Sequence, residues 1–441
     1  MSGELEQKLN SFDCAERKQA LSALSEKVKT GEIALPAPGT NVNLHCHTFF
    51  SYNCYGYSPT KFAWLARKVG LAVAAIVDFD VLDGLEEFLE AAKMLGLKAC
   101  GGLETRVFVP EFSTRVINST GEPGISYHMG VGFPKAKLEG QLGEFLLNLR
   151  RTAQERNCDL MGRVNRYLQP VELDYECDVL VLTPSGNATE RHICLAYARK
   201  AKEVFNDDNS LRQFRVKKLG PEAELLELPE SIDLLNMIRA KTMKRGGAGY
   251  MVPDKGSFPL MADFNQFVLA AGGIPTMTWL NGLSEGEQAI EELIEMAMST
   301  GVAAINIIPD RNYTPGVKDQ KLKNLYRVVE LAEKLHLPVV VGTEMNSPGQ
   351  KFVDDFNSQE LSPLLEVFLK GAYIVYAHSV LQQRAGLGYT SNWAKRNFEN
   401  LEDKNKFFQK FGSLLKPEKE DALAVLSDDV TAQQILNKVG S

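Results

Sequence analysis

Short apolar runs flanked by turn residues recur along most of this chain, and amphipathic stretches lie between them. Strands of four to eight residues alternating with helical patterns specify an α/β fold, because each strand must bury both faces against helices. Eight candidate strands emerge from the pattern: residues 41–47, 71–78, 97–104, 125–133, 272–279, 302–309, 337–344 and 372–378. Helical segments fit between them. DGLEEFLEAAKMLG is one, with Asp83 as its expected N-cap and Gly96 as its stop.

The rhythm is broken once. Residues 138–258 are mostly helical or irregular and end in the Gly/Pro-rich piece GGAGYMVPDKGSFP, so they read as a helical insertion or cap. The expected organisation is a helical extension over 1–40, a first barrel part over 41–137, the insertion over 138–258, a second barrel part over 259–395, and a helical tail over 396–441.

Composition excludes several classes. The chain has 441 residues, a net charge of -7, 44% hydrophobic and 24% charged residues, which is ordinary for a globular protein and wrong for a disordered one. Its longest uninterrupted apolar run, Leu71 to Val77, is far short of the roughly 20 residues of a membrane helix. The acidic, polar start lacks the basic and apolar regions of a signal peptide, and seven cysteines without paired spacing suit reduced thiols, so a cytoplasmic location is expected. An acidic total with no long Lys/Arg run argues against duplex nucleic acid as partner.

Six histidines occur, several at the ends of expected strands. In His45-Cys46-His47 the imidazoles are two residues apart, so on an extended chain both point to one face and can grip one cation. Taken alone, that alternation would better suit two surface or core histidines that happen to alternate. Its neighbours along the chain decide between them: LHCHTFFSYN, VDFDVLDG and GGLETRV succeed one another, each one strand-helix step apart.

These segments together resemble the polymerase and histidinol phosphatase (PHP) family of metal-dependent phosphoesterases, over most of residues 41–395. His45, His47 and Thr48 match its opening HxHT, Glu104 its G-x-E segment, and His128 its later lone histidine. Arg191 and His192 stand in register with a family segment in the insertion, where a structural role is expected. Three positions depart: Phe79, Trp279 and Asn346 stand where the family has histidine ligands. The resemblance implies a distorted TIM-like (β/α)7-8 barrel of the PHP type with a helical insertion. It also implies one or two divalent ions (Zn, Mn, Mg or Fe) held among His45, His47, Glu104, His128 and Glu344. Asp78, or Asp80 and Asn53, would add oxygen ligands, and His378 could replace a missing imidazole.

The implied chemistry is hydrolysis of a small phosphorylated substrate by metal-activated water, with Glu104 bridging and His128 or His378 as candidate acid. Arg106 and Arg311, each after an expected strand, would neutralise the transferring group. Lys351 and Arg384 lie farther from strand ends, and the aromatics Phe49, Phe50, Tyr52, Tyr55 and Tyr57 could wall a pocket. A PHP protein that binds metal without catalysis is one alternative, and an amidohydrolase-type barrel is a second.

Overall fold

The computed structural model describes residues 2–227, 230–253 and 256–440; Asp254 and Lys255 of the Gly/Pro-rich piece lie outside them. Two compact units are present. One comprises residues 1–48, 53–145 and 258–441, and the other residues 49–52 and 146–257.

The larger unit is a nearly closed, seven-stranded barrel ringed by helices, a distorted TIM-like arrangement. Its strands, in spatial and chain order, are β1 (Val42–Cys46), β2 (Val73–Phe79), β3 (Ala99–Phe108), β4 (Ile125–Val131), β5 (Ile274–Trp279), β6 (Ala304–Ile307) and β7 (Val339–Val341). All neighbours are parallel except β4, which runs antiparallel to both β3 and β5. A turn-rich connection, residues 109–124, replaces the crossover helix that a parallel β4 would need. The barrel closes between β7 and β1 through an isolated bridge, with Glu344 N–H donating to His45 O at 2.7 Å and His47 N–H to Glu344 O at 2.8 Å.

Seven of the eight expected strands form. The eighth, residues 372–378, lies inside the helix Leu365–Ala385, which stops at the left-handed Gly386. Ile374 to Leu381 are buried without interruption, so no amphipathic period marks the segment as helical, and a short apolar run of this kind fits either structure. Residues 362–385 are long and apolar enough to cross a membrane, with mean hydropathy 1.4, yet 67% of that window is buried inside the fold. This is a core helix. Gly371 lets it approach β7, since a Cβ there would lie 2.0 Å from Val339 O. A smaller difference concerns the helix Leu85–Leu95, whose N-cap is Gly84 instead of Asp83 and whose left-handed C-cap is Gly96.

The smaller unit is helical, with its own core around Val164, Val171, Ile193, Cys194, Tyr197 and Leu211. His192 is buried there and its Nδ1 accepts the Thr189 N–H at 3.1 Å, capping the helix Glu190–Val204. All seven cysteines are free thiols.

Candidate metal centre

Register decides which side chains meet inside the barrel. Between Asn43 and Cys46, β1 carries one residue more than the facing stretch of β2, a bulge of the kind that re-aims side chains beside functional sites. Glu104 on β3 lies opposite Phe79, the last residue of β2, which puts its carboxylate at the carboxyl ends of the strands. There Glu104 Oε2 lies 3.4 Å from His45 Nε2 and 3.3 Å from His47 Nε2, with all three side chains at most 1% exposed. Their ligand atoms lie within 4.8 Å of one another, close enough to hold one metal ion. Neither His45 Nε2 nor Glu104 Oε2 completes a hydrogen bond. Leaving such atoms buried without partners costs about 1–3 kcal/mol each, and more for a charge, so this donor set fits a cation.

Electrostatics agree with that reading. Burial alone would depress the His45 imidazole and raise the Glu104 carboxyl, but each charge outweighs its own desolvation. His45 is lifted above its ordinary value by Glu104, and Glu104 is pulled down to about 2 by His45 and His47.

The surroundings orient these groups. His45 Nδ1 lies 3.1 Å from Asn306 Oδ1 on β6, and Asn306 Nδ2 donates to Val340 O at 3.2 Å. Phe79 stacks on the His47 ring at 4.3 Å and forms an apolar wall. Asp78 accepts from Thr48 twice, from N–H at Oδ1 and from Oγ1 at Oδ2, both at 2.7 Å, so it anchors the chain leaving β1. Asp80 accepts from Thr105 Oγ1 at 2.5 Å. Asn53 donates to His47 O at 2.8 Å.

Other expected ligands stand apart from the cluster. On antiparallel β4, His128 pairs with Thr105 and Met129 with Glu104, so the period of two turns His128 to the face opposite Glu104. Its Nε2 is 2.7 Å from Asn265 Oδ1 on the helix Met261–Ala270. His378, on the core helix, donates from Nε2 to Gly272 O at 2.9 Å and accepts the Tyr389 N–H at Nδ1, at 2.8 Å. Both its nitrogens are engaged just before β5 begins, at the barrel end opposite the cluster.

Glu344 sits beside His45 through the barrel-closing backbone bonds, but its Oε2 accepts from Arg311 Nε at 3.1 Å and Gln350 Nε2 at 2.9 Å. Glu344 and Met345 adopt φ of 60° and 54°, a left-handed pair that costs on the order of 1–3 kcal/mol per residue and is typical of functional sites. Arg106 donates to Glu122 at 2.9 Å and lies over the Phe258 ring at 4.3 Å. Lys351 pairs with Asp310 and Arg384 with Asp421. Trp279 and Asn346 take no part in the cluster; Trp279 lines a separate cavity of about 190 Å³ with Glu287, Asn324 and Arg327. Of the aromatic residues after the HxH, Tyr55 and Tyr57 stack on each other, Phe49 meets Phe50 edge-on, and Tyr52 meets His192.

His128 and His378 carry a pH prediction. Burial pushes both imidazoles down to about 4, so folding keeps them neutral while the unfolded chain takes up protons near 6.5. Their contribution is fully present above pH 6.5 and is lost as pH falls toward 4, on the order of several kcal/mol in total. The melting temperature of chelator-treated protein is expected to fall steadily from pH 6.5 to 4, and less steeply in His378→Gln; a flat profile would contradict the assignment.

No family model and no curated protein matches the chain. Among solved structures, an amidohydrolase from Chromobacterium violaceum, with bound sulfate and no metal, superposes with a TM-score of 0.50 at 17% identity, covering 74% of this chain and 96% of that one. A metal-dependent phosphoesterase assigned in Bifidobacterium adolescentis gives a TM-score of 0.45 at 17% identity, over 76% of this chain and 97% of its own. At such identities the first likeness extends to the fold alone.

Proposed function

We propose that this chain is a divergent PHP-type hydrolase that cleaves a small phosphate ester with one divalent cation held by His45, His47 and Glu104. The observation that carries the reading is that buried trio at the carboxyl ends of barrel strands, where barrel active sites lie. Two imidazoles and one carboxylate suit Zn, Mn or Fe better than Mg, and three protein ligands leave coordination positions open. When bound, such a cation brings the pKa of its water to about 7 and polarises a phosphoryl oxygen.

The chain's own residues supply the rest of the proposed site. Phe79 shields His47 from water, and Arg311, half-buried near the trio, can offer its fork to an anionic oxygen if it leaves Glu344. His128 faces the helix layer, and among the described residues the trio is the one cluster placed to hold a metal ion, so a single ion is proposed. A cytoplasmic location, supported by the free thiols, and a small phosphorylated molecule as substrate belong to the same proposal.

Metal analysis of protein purified without chelator, beside a phosphate-ester panel on wild type and His45→Ala, tests this. Bound metal and turnover, both lost in His45→Ala, are expected. Metal without turnover would favour the non-catalytic binder, and turnover on amides but not phosphate esters the amidohydrolase alternative.

A further inference from the structure

The contacts behind His45 assign a role to a residue that no motif marks. Asn306 is the one polar side chain in the apolar run VAAINIIP, and it is fully buried. Its amide is oriented by its own bonds: Nδ2 donates to Val340 O at 3.2 Å, so Oδ1 is the atom that faces His45 Nδ1 at 3.1 Å. A carbonyl oxygen only accepts, so Nδ1 must carry the proton, and in the neutral ring Nε2 is left with its lone pair toward His47 and Glu104. The same amide links β6, β7 and β1 where the barrel closes. Asn43 Nδ2 reinforces that seam by donating to Thr343 Oγ1 at 3.0 Å and Phe352 O at 2.8 Å.

We infer that Asn306 is a positioning residue: it holds His45 as the Nδ1–H tautomer with Nε2 free for the cation, and ties this ligand to β7 across the barrel seam. The inference rests on the metal-binding reading of the trio. Losing a partner behind a ligand typically weakens metal binding by about 10–100-fold.

Zn²⁺ affinity, measured by chelator competition on the full chain, would be compared for wild type, Asn306→Leu and Asn306→Asp. Asn306→Leu is expected to bind Zn²⁺ about 10–100-fold more weakly, and the zinc-loaded, ¹⁵N-histidine-labelled protein to lose the protected Nδ1–H resonance of His45. Asn306→Asp, which still accepts from Nδ1–H but cannot donate to Val340 O, is expected to match or exceed wild-type affinity and keep the resonance. Unchanged affinity in Asn306→Leu would overturn the inference. So would a tenfold loss in Asn306→Asp, an arm that stands even if the leucine variant fails to fold. Wild type that binds no Zn²⁺ would overturn the metal reading itself and the inference with it.

Discussion

Glu104→Gln is expected to lose divalent-cation affinity by more than about 100-fold, beyond what loss of a residue behind a ligand costs. Glu104 Oε2 lies within 3.4 Å of both His45 Nε2 and His47 Nε2, and it brings the only negative charge in the trio. Glutamine keeps the volume and removes the charge. Thermal unfolding gives a direct reading. At metal 100-fold above its Kd the wild type gains about 2.7 kcal/mol, whereas a variant binding 100-fold more weakly gains about 0.4 kcal/mol. Without metal the variant is expected to melt below the wild-type temperature, because glutamine removes the buried carboxylate that His45 and His47 face, so the reading is the size of the metal-dependent shift in each protein. A variant that kept the full metal-dependent shift would remove Glu104 from the site.

The second large effect is expected at the barrel seam. A Cβ on Gly342 would lie 2.3 Å from His45 N and 2.5 Å from Asn43 Oδ1, and one on Gly371 would lie 2.0 Å from Val339 O. Backbone cannot yield as a flexible side chain can, so each alanine must push β7 away from its neighbour. Forced overpacking of this kind costs typically about 1–3 kcal/mol, and these contacts put both variants at or above the upper end. The two separate fold from site. Gly342→Ala is expected to lose both stability and metal affinity, because the displaced atom belongs to His45. Gly371→Ala is expected to lose stability alone, its clash lying where the core helix crosses β7. Denaturant unfolding and metal competition on both variants check this, and equal metal affinity in Gly342→Ala and wild type would contradict it.

The strands were legible wherever an apolar run ended in turn residues, as at LAVAAIVD and LPVVVGTE, because burial on both faces leaves a continuous apolar signature. The same signature misled at AYIVYAH: a helix buried all round shows no 3.6-residue period, and its caps lie outside the run. Strand direction left no local trace. The reversal of β4 is set by how the chain turns over residues 109–124, and with it the face that His128 presents.

At the candidate site, His45 and His47 were legible because a spacing of two fixes a shared face whatever the register. Glu104 was reachable through the resemblance, and only the register brings it level with them. Asp78, offered as a ligand, instead holds Thr48, and Glu344 is engaged by Arg311 and Gln350. Asn306 was missed, although an amide in the middle of an apolar strand was a signal: a buried polar group needs a partner, and its partner is the ligand imidazole.

Anomalous diffraction from crystals of the wild-type chain grown with Mn²⁺ or Zn²⁺ bears most directly on the trio. The account predicts a single strong peak inside the barrel, about 2.0–2.2 Å from His45 Nε2, His47 Nε2 and a Glu104 carboxylate oxygen, with none beside His128 or His378. A barrel with no peak between those three side chains, or with the ion held by His128, would contradict it.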